Sequence, residues 1–255
     1  MARIIAVVNQ KGGVGKTTTS VNIAASLSAT KRKTLLVDLD PQGNATSGSG
    51  VDKENVELSI YDLLVETQGA RSCILPDVAA GYDLIPSNSD LTGAEVALLD
   101  IPDREYLLEK ALRSIEADYS YIFIDCPPSL NMLTINGLVS ADSLLIPAQC
   151  EYYALEGLSS LMSTIETIKV SLNPSLKIDG LLRTMFDPRN NLALEVSKQL
   201  TDHFGDLVYR TVIPRNIKLA EAPSHGLPAL LYDRSSSGAA AYLALAGEML
   251  RKESA

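Results

Sequence analysis

Short apolar runs alternate along the chain with longer segments whose apolar residues recur at helical spacing. Nearly every position in the short runs is hydrophobic, which predicts β-strands that are buried on both faces. The predicted strands cover residues 4–9, 34–39, 82–86, 121–125, 143–147, 178–185 and 208–213. The longer segments predict α-helices over residues 16–28, 104–117, 155–172, 192–203 and 238–252. This alternation is typical of an α/β fold in which helices flank a twisted, mostly parallel sheet.

The length and composition of the chain favour one domain. Its 255 residues are 46% hydrophobic, so they can bury a full core. No linker, repeat or low-complexity segment divides the sequence, and we therefore expect residues 1–255 to form a single domain. The stretch 43–50, which is rich in Gly, Ser, Thr and Asn, predicts a mobile loop.

Charge, cysteine content and hydropathy exclude several classes of protein. The three cysteines lie far apart and only two histidines occur, which argues against a zinc site or a disulfide framework and favours a reducing cytoplasm. We expect no signal peptide and no membrane partner, because no stretch approaches the roughly 20 apolar residues of a membrane span. A net charge of -9 excludes a uniformly basic nucleic-acid binder, but residues 1–37 contain no acid, so local basic patches are compatible with it.

A glycine-rich stretch follows the first predicted strand and opens the first predicted helix. Residues 9–20 read NQKGGVGKTTTS, a variant of the phosphate-binding pattern G-x-x-x-x-G-K-[ST] in which glutamine replaces the first glycine and Lys11 follows it. Glycines let backbone N–H groups approach phosphate oxygens at the positive end of the helix dipole. We expect Lys16 to contact β- and γ-phosphate oxygens, Thr17 to ligate Mg²⁺ and Thr18 to reach the α-phosphate. The predicted nucleotide-binding residues are Gly12, Gly13, Val14, Gly15, Lys16, Thr17 and Thr18.

Three acidic residues lie at the ends of predicted strands. Asp38 and Asp40 lie at the end of the second strand and Asp125 ends the fourth, at the edge where open α/β sheets bind their ligands. Asp40 is predicted to orient the attacking water, whereas Asp38 is predicted to support the Mg²⁺ shell or the lysines. Asp125 is predicted to hold Mg²⁺ through water. Alternatively, the Asp40-Pro41 pair only caps a turn.

Six strings spread over nearly the whole chain carry a family resemblance. They are NQKGGVGKTTTSVNIA, LLVDLDPQGNATSG, YIFIDCPPSLNMLTINGL, IPAQCEYYALEGLSSL, TMFDPR and VIPRNIKLAEAPSHGLP. With these strings the chain resembles the deviant Walker A ATPases and, among them, the ParA/Soj chromosome- and plasmid-partitioning proteins. The resemblance implies a P-loop fold and an ATPase that forms a homodimer around ATP and Mg²⁺. It also implies binding to non-specific double-stranded DNA, release on hydrolysis stimulated by a ParB-type centromere-binding partner, and a cytoplasmic, nucleoid-associated location.

The resemblance also implies roles for residues outside the glycine-rich stretch. Lys11 would reach across the dimer to the phosphates of the partner subunit, although its ammonium can also be solvated or paired with an acid in its own subunit. Glu151 and Tyr152 lie in a string that resembles the dimer-contact region of the family. The residues expected to line the adenine pocket, or else to be ordinary turn residues after strands, are Met185, Pro214 and Asn216.

Basic residues are the candidates for DNA contact. The resemblance implies that Arg189 and Lys218 form a patch that becomes bivalent on dimerisation, and a lysine at the second position suits a sequence-independent phosphate contact. Further candidates are Arg215, Arg251 and Lys252. The alternative is that these charges are merely solvated on the surface.

Other functions on the same ATPase core lack their sequence signals. A MinD-like membrane-cycling division-site ATPase needs a C-terminal amphipathic anchor, whereas residues 247–255 read GEMLRKESA, without an aromatic residue and with acids interspersed. An Fe–S carrier needs paired cysteines at a subunit interface, and Cys126 beside Pro127 does not supply them. An ATP-dependent ligase for small molecules would need a second substrate pocket, of which the sequence gives no sign.

Overall fold

The strands of the chain form one sheet in a computed structural model, which describes residues 1–78 and 81–253. They are β1 (Arg3–Val7), β2 (Thr34–Asp38), β3 (Leu75–Val78), β4 (Tyr82–Ile85), β5 (Tyr121–Asp125), β6 (Ser143–Gln149), β7 (Lys177–Phe186) and β8 (Val208–Pro214). Their order across the sheet is β3-β4-β2-β5-β1-β6-β7-β8. All neighbours are parallel except β3 and β4, which are antiparallel. The predicted α/β fold with a mostly parallel sheet is confirmed.

Helices cover both faces of this sheet. In the described part of the chain they are α1 (Lys16–Ala29), α2 (Asn44–Gly48), α3 (Ile60–Leu64), α4 (Ala94–Ala97), α5 (Leu107–Arg113), α6 (Met132–Ser140), α7 (Ala154–Ser171), α8 (Asn191–Phe204), α9 (Ile217–Glu221), α10 (Ala229–Tyr232) and α11 (Ser237–Glu253). Short 3-10 turns connect several of them. Within the same residues, none of these helices is both long and apolar enough to cross a membrane.

Alternate residues of the central strands enter two separate cores. In β1, Ile4 and Ala6 pack with residues of α3 to α8, whereas Ile5 and Val7 pack with α1, α2 and α9 to α11. Side chains of a strand alternate between the faces of a sheet, and a strand with a core on each side must be apolar throughout. This is why the strands in the middle of the sheet read as nearly continuous hydrophobic runs, and all seven predicted strands are present.

Two sequence predictions differ from the structure. The predicted loop at 43–50 is wrong, because residues 44–48 form α2 and its Ala45 and Thr46 are fully buried. The predicted helix at 104–117 is interrupted: only residues 107–113 are α-helical, and 3-10 turns lie on either side. The elements that were not predicted are β3, α3, α6 and the short helices α4, α9 and α10.

The carboxyl ends of the three central strands meet at one edge of the sheet. Asp125 at the end of β5 is in register with Val7 of β1 on one side and with Asp38 of β2 on the other. In the sheet, β2 lies on one side of β1 and β6 lies on the other. Where the strand order changes direction in this way, a crevice opens at the carboxyl edge. The glycine-rich loop after β1 lies in this crevice.

Candidate functional site

The glycine-rich loop between β1 and α1 is held open by its neighbours in the sheet. Gly13 (φ 73°) and Gly15 (φ 88°) adopt left-handed backbone conformations, which explains glycine at both positions. The side chain of Asn9 donates to the Pro147 carbonyl oxygen at 2.8 Å and accepts from the Lys11 N–H at 3.0 Å. The loop therefore curls around a space at the N-terminus of α1, where free N–H groups attract anions.

A cavity of about 380 Å³ lies over this loop. It is bordered by Gly12, Gly13, Gly15, Lys16, Thr17, Thr18, Asp40, Gln42, Asn44, Pro128 and Met185. Lys16 is only 7% exposed, and its ammonium group donates to the Lys11 carbonyl oxygen at 3.3 Å. Burial lowers the pKa of Lys16, and the charges of Asp125 and Asp40 oppose that shift. A cation held in this way is placed to meet an anion entering the cavity.

Asp125 joins β5 to the start of α1. Its carboxylate oxygens accept hydrogen bonds from the Thr17 and Ser20 hydroxyls, each at 2.7 Å. Complete burial raises the pKa of Asp125 to about 7, and the nearby charge of Asp38 acts in the same direction. The predicted partners Thr17 and Asp125 therefore lie together.

Asp38 and Asp40 occupy different environments although only one residue separates them. Asp38 is fully buried, and one of its oxygens accepts both the N–H and the hydroxyl of Thr46 at 2.7 Å. Burial raises the pKa of Asp38 to about 6. Asp40 borders the cavity beside Lys16, and its carboxylate accepts the Gln42 N–H at 2.9 Å. Asp40 thus faces the space over the loop, whereas Asp38 faces α2.

A second cavity, of about 180 Å³, adjoins the first at Gly15 and Thr18. The three residues predicted to line an adenine pocket, Met185, Pro214 and Asn216, all border it. The amide of Asn216 is engaged within the chain, because it caps α9 through the Leu219 N–H and donates to the Ser237 hydroxyl at 2.9 Å. The pocket wall is therefore mainly apolar, and adenine binding there stays a prediction.

The predicted dimer-contact residues lie together on the surface beside the loop. The ammonium of Lys11 pairs with the Glu151 carboxylate of its own chain at 2.5 Å, and both side chains are about half exposed. Tyr152 is 75% exposed and stacks edge-on against Tyr153. Of the alternatives for Lys11, the structure shows the pairing with an acid in its own subunit, while the contact with a partner stays a prediction.

Three candidate DNA-contact residues lie at the carboxyl edge near β7 and β8. Arg189 follows β7, Arg215 follows β8, and Lys218 lies on α9. Arg189 forms a two-point ion pair with Asp187 at 2.9 and 2.8 Å, and these bonds lower the pKa of Asp187 to about 2. Lys218 pairs with a neighbouring carboxylate on the same helix, Glu221, at 2.9 Å. DNA phosphates would have to compete with both acids.

The other two candidates lie elsewhere. Lys252 packs over the Tyr209 ring and donates to the carbonyl oxygen of Asp179, near the amino end of β7. Asp179 and the last residue of β7, Phe186, are separated by about 23 Å along the strand. The structure therefore does not bring Arg251 and Lys252 into the patch of Arg189, Arg215 and Lys218.

Several site residues were not predicted from the sequence. Ser20 shares Asp125 with Thr17, and its position three residues further along α1, on the same helix face, is a signal that could have found it. Thr184 of β7 donates to the Val14 carbonyl oxygen at 2.8 Å, a contact over 170 residues that the sequence does not reveal.

Comparisons with known proteins agree with this geometry. A family model described as an AAA domain matches residues 2–178. The chain is 52% identical over 249 residues to the sporulation initiation inhibitor protein Soj of Bacillus subtilis, with 98% of each chain covered. It is 50% identical over 253 residues to the chromosome partitioning protein ParA of Myxococcus xanthus, with 99% of this chain and 89% of the relative covered. Cobyrinic acid a,c-diamide synthase from Mycobacterium smegmatis, solved with a bound ATP analog and magnesium, superposes with a TM-score of 0.87 at 36% identity, covering 100% of this chain and 97% of that chain.

Proposed function

This chain is an AAA-domain protein of the ParA and Soj family of partitioning ATPases, and we propose that its ATP-bound dimer binds DNA without sequence preference and leaves it after hydrolysis. One observation carries the proposal: the glycine loop, Lys16, Thr17 and Asp40 border one cavity at the carboxyl edge of the sheet. The relatives named for chromosome partitioning are 47–50% identical to this chain, against 36% for the diamide synthase, which favours partitioning. The protein works in the cytoplasm at the nucleoid, with a ParB-type partner that stimulates hydrolysis.

ATP occupies the two adjoining cavities in this proposal. The N–H groups of the loop and the Lys16 ammonium hold the phosphates over the N-terminus of α1, and Thr18 reaches the α-phosphate. The base enters the smaller cavity against Met185 and Pro214. Because the two cavities share Gly15 and Thr18, one nucleotide can span both.

The residues around Thr17 fit Mg²⁺. Its hydroxyl lies 2.7 Å from an oxygen of Asp125, so a hydroxyl and a carboxylate stand side by side next to the phosphate cavity. Mg²⁺ prefers such oxygen ligands and completes its shell with water and phosphate. When bound, the ion would supply positive charge that offsets the charge of the phosphate oxygens. Thr17 would bind it directly and Asp125 through water, while the support from Asp38 would be indirect, through its place beside Asp125.

Asp40 is the residue that orients water for attack. Its carboxylate borders the phosphate cavity and is tethered by the Gln42 N–H, which fixes the direction of the free oxygen. A carboxylate at this position accepts a hydrogen bond from water near the γ-phosphate. Hydrolysis removes the phosphate that both subunits share, so the dimer separates and releases DNA.

Lys11 completes the site of the partner subunit. To do so, its ammonium must leave the Glu151 carboxylate of its own chain and bind phosphate oxygens in the partner's site. An exposed ion pair contributes at most about 1 kcal/mol, so a phosphate can displace Glu151.

We expect Lys11→Ala to bind ATP within about threefold of the wild type, because half-exposed Lys11 lies outside its own phosphate cavity. Dimerisation and hydrolysis should be lost, as measured by size-exclusion chromatography with ATP and by phosphate release. Normal ATP-dependent dimers of this variant would contradict the contact across the dimer.

DNA binding should depend on Arg189 and Lys218. Each alanine substitution is expected to weaken binding to all sequences alike and to lower the slope of log K against log salt by about 0.9 per phosphate contact, or twice that if both subunits contribute. ATPase activity without DNA should stay near the wild-type value. The measurement is fluorescence anisotropy of two unrelated duplexes across a salt series.

The matched control for the DNA experiment is Lys198→Ala. Lys198 is also an exposed cation paired with an acid, Asp202, but it lies on α8 outside the patch. It should leave the affinity and the salt slope unchanged. If the double variant of Arg189 and Lys218 behaves like this control, the two residues are solvated surface charges and the search moves to Arg215, Arg251 and Lys252.

The overall function is tested by co-sedimentation with plasmid DNA or with liposomes, each with ATP, ADP or no nucleotide. The proposal expects the protein to sediment with DNA in the presence of ATP, but not with ADP or without nucleotide. It also expects faster hydrolysis when a ParB-type protein is added. Sedimentation with liposomes instead of DNA would replace the proposal with a MinD-like membrane cycle.

A further inference from the structure

The backbone of Asp40 is fixed on both sides by hydrogen bonds. Its N–H donates to a carboxylate oxygen of Asp38 at 3.2 Å, and its carbonyl oxygen accepts the Ser87 hydroxyl at 2.8 Å. The side chain of Asp40 is therefore not placed by its own strand alone, because β2 ends at Asp38. The Asp40 carbonyl oxygen also accepts the Gly43 N–H at 2.9 Å, and the Ser87 hydroxyl adds a contact from 47 residues further along the chain.

Thr46 closes these contacts into a ring. The Ser87 N–H donates to the Thr46 hydroxyl oxygen at 2.9 Å, and that hydroxyl donates to Asp38 at 2.7 Å. The ring thus runs from Asp38 through Asp40, Ser87 and Thr46 back to Asp38. Asp38, Thr46 and Ser87 are all fully buried. Hydrogen bonds to a carboxylate in such surroundings are strong and keep their geometry.

Sheet geometry places Ser87 at this point. β4 runs parallel to β2 with Ile85 in register with Val37, so Ser87 lies beside the residue that precedes Asp40. The cavity over the glycine loop is bordered by Asp40 and by residues of α1, and neither Ser87 nor Thr46 is among its lining residues. Ser87 contacts Asp40 directly, whereas Thr46 contacts Asp38 and the Ser87 N–H, so the two residues affect a reaction in that cavity through Asp40 and its neighbour Asp38.

We infer that Ser87 and Thr46 are positioning residues, which hold the Asp40 carboxylate at the distance and angle that hydrolysis requires. The inference rests on the proposed role of Asp40 in orienting water. Apolar side chains at the buried positions of Ser87 and Thr46 would fill the core without needing hydrogen-bond partners. Packing alone therefore does not require the ring of hydrogen bonds. What the ring adds is a fixed direction for the peptide of Asp40.

Removal of the Ser87 hydroxyl should affect turnover and not binding. Without it the Asp40 carbonyl oxygen keeps only the Gly43 N–H as a partner, and the carboxylate can shift relative to the phosphate cavity. A displacement of about 1 Å at a reacting group can cost on the order of 100-fold in rate. We expect Ser87→Ala and Thr46→Val each to lower the single-turnover rate of ATP hydrolysis by about 10- to 100-fold, with ATP affinity within about twofold of the wild type.

Ser49→Ala is the matched control. Ser49 is a buried serine just after α2, and its hydroxyl bonds to the Ala45 carbonyl oxygen at 2.7 Å and to the Tyr82 hydroxyl at 2.6 Å, outside the ring. The Ser49→Ala variant also loses a buried serine hydroxyl, so its thermal midpoint should fall about as much as that of Ser87→Ala. Its hydrolysis rate should stay near the wild-type value.

The decisive measurement combines Ser87→Ala with Asp40→Ala. If Ser87 acts through Asp40, the double variant hydrolyses ATP no more slowly than Asp40→Ala alone. The inference is wrong, and the proposed function stands, if Asp40→Ala is inactive while Ser87→Ala turns over like Ser49→Ala. If Asp40→Ala hydrolyses ATP at the wild-type rate, the role of Asp40 fails and the inference fails with it.

Discussion

Replacement of Asp40 by alanine should lower the rate of ATP hydrolysis by about 10²- to 10⁴-fold, the usual contribution of a group that accepts or directs a proton. ATP binding and dimerisation should persist, because in the proposed site the phosphate contacts come from the glycine loop and Lys16, and Asp40 borders the same cavity. The dimer should therefore stay on DNA. Quench-flow of a single turnover gives the rate, and titration with a non-hydrolysable ATP analogue gives the affinity.

Asp40→Asn is the companion variant for this prediction. It keeps an oxygen that can accept the Gln42 N–H, so the turn after β2 is preserved while the negative charge is lost. We expect it to be as inactive as the alanine variant and more stable. If Asp40→Ala fails to bind the nucleotide, Asp40 supports the fold or the metal site. Asp38 would then be the better candidate, although its carboxylate is fully buried and bonded to Thr46.

The central sheet was predictable because its strands are buried on both faces. A strand such as β5, YIFID, has a core on each side and must be apolar throughout, which sets it apart from its neighbours in the sequence. β3 lacks this signal. It is a short edge strand with Pro76 and the exposed Asp77 in its middle, a composition that is tolerated only at the edge of a sheet.

The helix α2 shows how tertiary contacts override local propensity. Its sequence, NATSG, contains residues that favour turns over helices, and the prediction of a loop followed from that. In the structure Thr46 binds Asp38, and Ala45 packs into the core under the sheet. Both contacts join α2 to residues outside it, so a window of local sequence cannot detect them.

The candidate site divides in the same way. Lys16, Thr17, Asp40 and Asp125 were predictable because each lies at or near the end of a strand or opens the helix that follows, and parallel strands bring those positions to one edge. The partners of these residues were not predictable. Ser87 meets Asp40 from the segment that follows β4, and such a contact depends on strand order, which one sequence does not specify.

Lys16→Ala should abolish useful binding of ATP, with a loss of affinity of about 100-fold or more, since a buried ammonium that bonds to charged phosphate oxygens contributes up to about 3 kcal/mol. The free protein should still fold, because burial lowers the pKa of Lys16 and so disfavours its charge, although Asp125 and Asp40 oppose that shift. Calorimetric titration with ATP measures the affinity, and a thermal melt without nucleotide tests the fold. Lys11→Ala is the matched variant, with nearly normal affinity. Wild-type affinity in the Lys16 variant, with an intact fold, would remove Lys16 from the phosphate site.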